Sequence, residues 1–172
     1  AHRILADLIG LGYVHQDSVT ERYRLSMKLV SIMQRHLSRV PLVDLAQPFL
    51  TRLAEQAGEL VRMSILDEGN LIWIAKAQGS KHALRYDPDS GLTSPLFCTA
   101  SGLALLATVD DETALARLRE QGFGDPAEFG PEAPGSEDDF LTLLAQARGN
   151  NFAYVANSYE NGIAALAVPI VD

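Results

Sequence analysis

The amino-acid sequence predicts an α+β chain: a basic head made of a helix and a hairpin, a connecting helix, and an acidic domain in which an antiparallel sheet carries packed helices. Three observations lead there. Apolar residues recur at helical spacing in some stretches and at two-residue spacing in others, so both element types are present. The clearest alternation, Val61, Met63 and Ile65, passes through the turn Asp67 to Asn70 into a second apolar run from Leu71 to Ala77, which is the pattern of a hairpin. Charge is also divided unevenly, because residues 1–40 hold six Lys/Arg against three Asp/Glu while the whole chain of 172 residues carries a net −8.

The head begins with Ile4, Leu5, Leu8 and Ile9 at helical spacing, and Gly10 and Gly12 stop that helix. Tyr13–Gln16 and Arg22–Ser26 are short extended pieces joined by the polar turn Asp17–Glu21. In the second piece the two-residue period puts Arg22 and Arg24 on one face and Tyr23 and Leu25 on the other, so Tyr23 is expected in the core and the arginines outside. A helix followed by a wing with paired arginines matches the second half of a winged helix-turn-helix, in which one helix enters the major groove and the wing touches the backbone. On that reading a partial domain over residues 1–26 offers His2 and Arg3 from the helix, and Arg22 and Arg24 from the wing, to double-stranded DNA. The arginines read locally as solvated charge just as well, and the charge asymmetry is what favours the first reading.

From Met27 to Val40 an apolar stripe of Leu29, Val30, Met33, Leu37 and Val40, with Lys28, Arg35 and Arg39 off it, gives a linker helix over 27–40. Such a stripe suits either pairing with the same helix of a second subunit or packing within one chain. Residues 41–172 form the acidic domain. Leu42, Leu45, Phe49, Leu53 and Ala57 keep a helical period up to Gly58, and Pro48 either starts this helix or kinks it.

After the hairpin, whose second strand is apolar on both faces and therefore expected in mid-sheet, Ala83–Tyr86 reads as a further short strand and Asp87–Gly91 as a loop. Trp73 in the hairpin fits plain core or a pocket wall. The run Pro95 to Ala107 joins small residues directly to a helical pattern. It reads either as a tight joint with Thr99 as N-cap, or as a corner whose free amides could meet a ligand oxygen. Helices follow at Asp110–Gln121, ended by Gly122, and at Ser136–Arg148, ended by Gly149, the latter with acids in its first turn to match the helix dipole. Phe152–Val155 and Ile163–Val171 are strand-like.

Composition excludes several classes. One cysteine, Cys98, rules out an internal disulfide and fits a reducing, cytoplasmic setting. No apolar run reaches the roughly 18 residues that span a bilayer, so no membrane association is expected. Of the four histidines three lie in the basic part, so neither a catalytic triad, nor a metal cluster, nor a cofactor motif is indicated. Cys98 in an apolar context is expected to be a packing residue, which leaves a Cys-dependent hydrolase as a remote alternative and a sensor acting through protein partners as a nearer one. The chain begins inside a helical pattern and stops in an extended one, as a segment cut at both ends would.

Taken together, Ala1 to Leu8, Gly12-Tyr13-Val14, Arg22 to Leu25, the linker helix, Pro95-Leu96 with Thr99-Ala100, and Glu160 to Ile163 with Pro169-Ile170 resemble the IclR family of bacterial transcription regulators over essentially the whole chain. The resemblance implies a winged helix-turn-helix, a linker helix that helps dimerise, and a GAF-like effector domain, assembled as a homodimer or homotetramer and controlled by a small-molecule effector such as an organic acid or aromatic catabolite. It implies a pocket formed by Tyr86 and Ser94, by the backbone amides of Ala100 and Ser101, and by Val155, Ile163 and Ala165. Members that bind small oxo-acids carry a carboxylate at the position of Val155 and a cysteine at that of Ala165. Leu103 replaces a usual lysine and Phe97 a frequent histidine. These departures imply an effector with a larger, more apolar body, anchored through an oxygen at the helix N-terminus.

Overall fold

The computed structural model describes residues 2–37, 41–83 and 85–171 and forms two compact units, Ala1–Arg52 and Leu53–Asp172. In the first, helix α1 (His2–Gly10) is followed by strands β1 (Val14–Gln16) and β2 (Tyr23–Leu25), then by α2 (Lys28–Leu37) and α3 (Leu42–Ala57), which continues into the second unit. Gly12, at φ 73°, makes the turn out of α1 that only a residue without Cβ adopts freely. β1 and β2 pair antiparallel with Val14 opposite Leu25 and His15 opposite Arg24.

Tyr23 departs from expectation. It is 41% exposed and Leu25 is 71% exposed, although the two-residue period points both away from the arginines. The strands are three residues long, and among the described residues only Val14 of the hairpin is buried, so one apolar side chain fills what the head has of a core. An open groove of about 430 Å³ is lined by Leu8, Tyr13, Val14, Leu25, Leu29 and Ile32. Helix α3 runs through Pro48 and does not start there, since a proline forfeits a single backbone hydrogen bond in a helix of 16 residues. Arg39 and Val40, expected in the linker helix, lie outside the described residues.

In the second unit β3 (Leu60–Asp67), β4 (Asn70–Gln78) and β5 (Thr93–Ser94) form an antiparallel sheet with β4 in the middle. Next come α4 (Ala100–Leu106), α5 (Asp111–Gln121), a 3-10 turn (Pro126–Glu128), α6 (Glu137–Asn150), and the antiparallel pair β6 (Ala153–Ala156) and β7 (Ala164–Ala167). Both element types are thus combined in one unit, and the fold is α+β. Its core is a continuous cluster in which Leu96, Leu103, Leu106, Leu118, Phe140 and Leu144 are fully buried, with Val155 contributing from β6. Arg148 of α6 ties the cluster together from outside. Its guanidinium donates to the carbonyls of Ala107 (3.2 Å) and Val109 (2.5 Å) and pairs with Asp111 at 2.5 Å.

Three boundaries differ from the sequence expectation. Ala83, Arg85 and Tyr86 form no strand, while Leu84 is outside the described residues. Side chains hold this stretch instead: Gln78 Nε2 donates to the Tyr86 carbonyl at 2.9 Å, and Lys76 Nζ to Asp87 at 2.7 Å and to the Pro88 carbonyl at 2.8 Å. Helix α6 passes Gly149 and stops at Asn151, which takes the left-handed φ of 61° that ends a helix. β7 covers four residues rather than nine, because its partner β6 has only four to pair with and Pro169 has no N–H to donate.

Candidate functional site

The corner between β5 and α4 is built around one hydroxyl. Thr99 Oγ1 donates to the Pro95 carbonyl at 2.6 Å and accepts from the Gly102 amide at 3.0 Å, which makes it the N-cap of α4. Its single proton being committed, the 2.8 Å contact with Ser94 Oγ has Ser94 as donor. With its one proton given to Thr99, the fully buried Ser94 hydroxyl can only accept from anything further. Gly102 is required here, because a Cβ at that position would run into the backbone of Leu96. With Gly102 and Leu103 amides directed to Thr99, those of Ala100 and Ser101 are the first-turn donors that the cap does not take. Cys98 beside them is 0% exposed, and burial pushes its thiol up to about 12, which keeps it protonated and unreactive as a nucleophile.

A second cluster forms where the strands of the central sheet meet the turn between β6 and β7. The β3–β4 register slips between Met63 and Ser64, so that Ser64 sits opposite Trp73 while Met63 sits opposite Ala75. The slip is a β-bulge, and it brings Trp73 to the face of the sheet that carries Arg62. The Arg62 guanidinium lies 3.7 Å from the centre of the Trp73 ring. Trp73 also meets Tyr159 at 5.8 Å, and rings continue from Tyr159 to Phe129 (6.3 Å), from Phe129 to Phe97 (5.0 Å) and from Phe97 to Phe123 (5.3 Å). This aromatic wall is seated by Gly130, where a Cβ would strike the Asn157 carbonyl, and by hydrogen bonds from the Gly130 amide to the Ser158 carbonyl and from the Glu132 amide to the Asn157 carbonyl, both 2.9 Å.

The polar ends of the cluster are electrostatically coupled. Burial and a hydrogen bond with the Glu160 carboxylate push the Tyr86 phenol up to about 12. Burial also raises Tyr159, against the pull of Arg62, and burial lowers Arg62 itself. Two buried side-chain atoms among the described residues have no hydrogen-bond partner, Arg62 Nε and Ser158 Oγ. Among the described residues Arg62 hydrogen-bonds only the Asp89 carbonyl, through Nη2 at a long 3.3 Å.

The residues nominated from sequence fall into two groups. Ser94, Ala100 and Ser101 sit together at the β5–α4 corner; Val155 is buried under α4 and faces Ala165, which is exposed, as its cross-strand partner. Tyr86 lies with the second cluster, and Ile163 closes the turn that carries Tyr159 by exchanging backbone hydrogen bonds with Asn157 and Glu160. None of the seven lines the hollow of about 210 Å³ bounded by Thr93, Pro95, Phe97, Gln121, Gly122, Gly124 and Phe129. Sequence reasoning missed Arg62, Tyr159 and Glu160 and left Trp73 open. Arg62 looked like the polar side of an alternating strand, and the bulge that sets Trp73 against it has no sequence signature. In the head, His2, Arg3, Arg22 and Arg24 are all exposed, and His15, opposite Arg24, extends their face. Among the described residues no three His, Cys, Asp or Glu side chains gather as a metal set, and no helix is long and apolar enough to cross a membrane.

The chain is similar to known proteins along most of its length. The "Pca regulon regulatory protein" of Pseudomonas putida is 31% identical over 99% of the chain and 57% of its own length. Among solved structures, an IclR transcriptional regulator of a Silicibacter species superposes with a TM-score of 0.79 at 23% identity, over 98% of this chain and 65% of that one. The inducer-binding domain of a PobR double mutant from Acinetobacter, in complex with 3-hydroxybenzoic acid, superposes at 0.64 with 25% identity, over 76% of this chain and 74% of that one. The chain spans less than two thirds of the length of the curated relatives it matches. The family described as "Bacterial transcriptional regulator IclR C-terminal" matches residues 34–172, most of the chain, and the protein belongs to the IclR family of bacterial transcriptional regulators.

Proposed function

We propose that this chain is the larger part of a cytoplasmic transcription regulator whose hold on double-stranded DNA is set by a small organic acid bound in its acidic unit. One observation carries the reading: the match to a regulator covers the basic head and the acidic unit alike, 99% of the chain. The head, residues 1–26, meets DNA through His2, Arg3, Arg22 and Arg24, which are exposed and unburdened by ion pairs among the described residues. The linker helix, 27–40, and α3 carry exposed apolar stripes, Leu29, Ile32 and Met33 on one and Leu42, Leu45, Phe49 and Leu53 on the other, and these support association into a homodimer or a homotetramer. The effector domain, 41–172, takes the ligand among Tyr86, Ser94, the amides of Ala100 and Ser101, Val155, Ile163 and Ala165. It requires no cofactor. The protein binds and does not catalyse, consistent with the buried, protonated thiol of Cys98. A ligand that prefers one arrangement of the subunits changes DNA affinity by that difference alone.

The experiment is fluorescence anisotropy of the intact protein on duplexes enriched from a random pool, at 50 and 200 mM salt. Affinity should fall steeply between the two, and Arg22→Ala and Arg24→Ala should each reduce the salt slope by about one. Absence of DNA affinity, or affinity with no salt slope, rejects the reading in favour of a sensor that works through protein partners.

A further inference from the structure

We propose that Arg62 selects the ligand: its guanidinium, held over the Trp73 ring, takes the carboxylate of an aromatic monocarboxylate whose ring lies along the wall of Tyr159 and Phe129. The inference rests on the effector-site reading above and adds to it the chemical class of the ligand and the residue that recognises it.

The argument is one of unmet electrostatic demand. Arg62 is half-buried, yet among the described residues no carboxylate pairs with it, although the other close ion pairs of this unit, at Lys76, Arg119 and Arg148, all have their acids in place. Its Nε is sealed from solvent without an acceptor, and its one hydrogen bond, to the Asp89 carbonyl, is near the long limit. A desolvated guanidinium in that condition gains more from an anion than from any neutral acceptor. The Trp73 ring lies 3.7 Å from the centre of the group and accepts no hydrogen bond from its N–H donors, which remain its means of pairing with an anion. Those donors form a fork that matches the two oxygens of a carboxylate. The nearby Glu160 is engaged with Tyr86 and is not an ion-pair partner of Arg62 among the described residues. An acid with an aromatic body would exchange the Asp89 carbonyl for a charge-assisted pair and set its ring against Tyr159 and Phe129, themselves 6.3 Å apart. The segment 86–91 that bears Asp89 runs beside β4 on side-chain and backbone hydrogen bonds, among them Gly91 N to Trp73 O at 2.7 Å.

Trp73 is the sole tryptophan, so its emission reports this site directly. The test titrates the intact protein with benzoate, 3- and 4-hydroxybenzoate, phenylacetate and 4-hydroxycinnamate, and with the primary amide of each, following Trp73 fluorescence and heat of binding. At least one acid should bind, and more tightly than its amide by about tenfold to a hundredfold, the range of a hydrogen bond to a charged group. Arg62→Gln should weaken the acid by a similar factor and leave its amide within about twofold, while Arg62→Lys, which keeps charge but lacks the fork, should fall between. Binding that keeps its acid-over-amide preference in both variants overturns the assignment of Arg62 and leaves the effector site standing. If no acid binds the unaltered protein, the aromatic-carboxylate assignment is overturned, and the effector-site reading is decided separately by the salt-dependent DNA titration above.

Discussion

Each of the informative side chains is defined by what surrounds it rather than by its type. Thr99 is an ordinary N-cap whose hydroxyl also orients Ser94, so a single atom fixes both the start of α4 and the donor direction of its neighbour. Tyr86 is a loop tyrosine turned into a titration marker. With its folded-state phenol ionising at about 12 against an ordinary 10.0, the native protein keeps this proton after the unfolded chain has lost it. Stability from this group is therefore whole below pH 10.0 and is lost as pH rises from there toward about 12. Absorbance titration of tyrosinate should show a late component near pH 12 that disappears in Tyr86→Phe, and the variant should lose less stability than the parent across that interval. A titration unchanged by the substitution would mean that Tyr86 is freely solvated.

The elements were largely legible in the sequence because each is closed by local chemistry. Helices α5 and α6 begin at Asp110 and Ser136, whose side chains accept from the amides of Thr113 and Asp139, and the β3–β4 hairpin turns at Glu68 and Gly69 with positive φ. Where an end depends on a partner strand, as for β7, or on a network of distant side chains, as for residues 83–91, spacing gave no warning. The short helix α4 depends on tertiary fit more than on propensity, since Gly102 lets its first turn rest on the Leu96 backbone. Gly102→Ala improves intrinsic helix propensity by about 0.8–1.0 kcal/mol, yet it should destabilise the unit by about 1–3 kcal/mol, the usual cost of overpacking a close contact. Urea unfolding decides the sign, and a stabilised variant would show that the contact can relax.

For the molecule as a whole, the two units differ in how much apolar surface they bury. The second holds a continuous core, and its largest fully buried side chain is Phe140; the head has, among the described residues, one buried apolar residue, Val14, and an open apolar groove. Phe140→Ala should cost the second unit about 3–5 kcal/mol, the common range for deleting a buried phenylalanine. Hydrogen exchange read separately over the two units should show the loss of protection confined to residues 53–172; an equal loss in the head would mean that the units unfold as one.

Composition and spacing alone revealed the α+β class, the basic head with its helix and hairpin, most of the helices and the Thr99 corner, and motifs taken in their order carried the resemblance to the family. All of these rest on local periodicity, on caps, on charges counted along the chain, or on the order of motifs. They did not reveal the cluster of Arg62, Trp73, Tyr159 and Glu160, whose members lie 11 to 98 positions from Arg62 in the chain. What unites them is a one-residue slip in the β3–β4 register and a turn seated against Gly130. A register slip changes which face a side chain occupies without changing the residues themselves, so it enters only when strands pair. That is also why the same arginine reads as surface in the linear pattern and, once folded, as a half-buried cation on an indole ring.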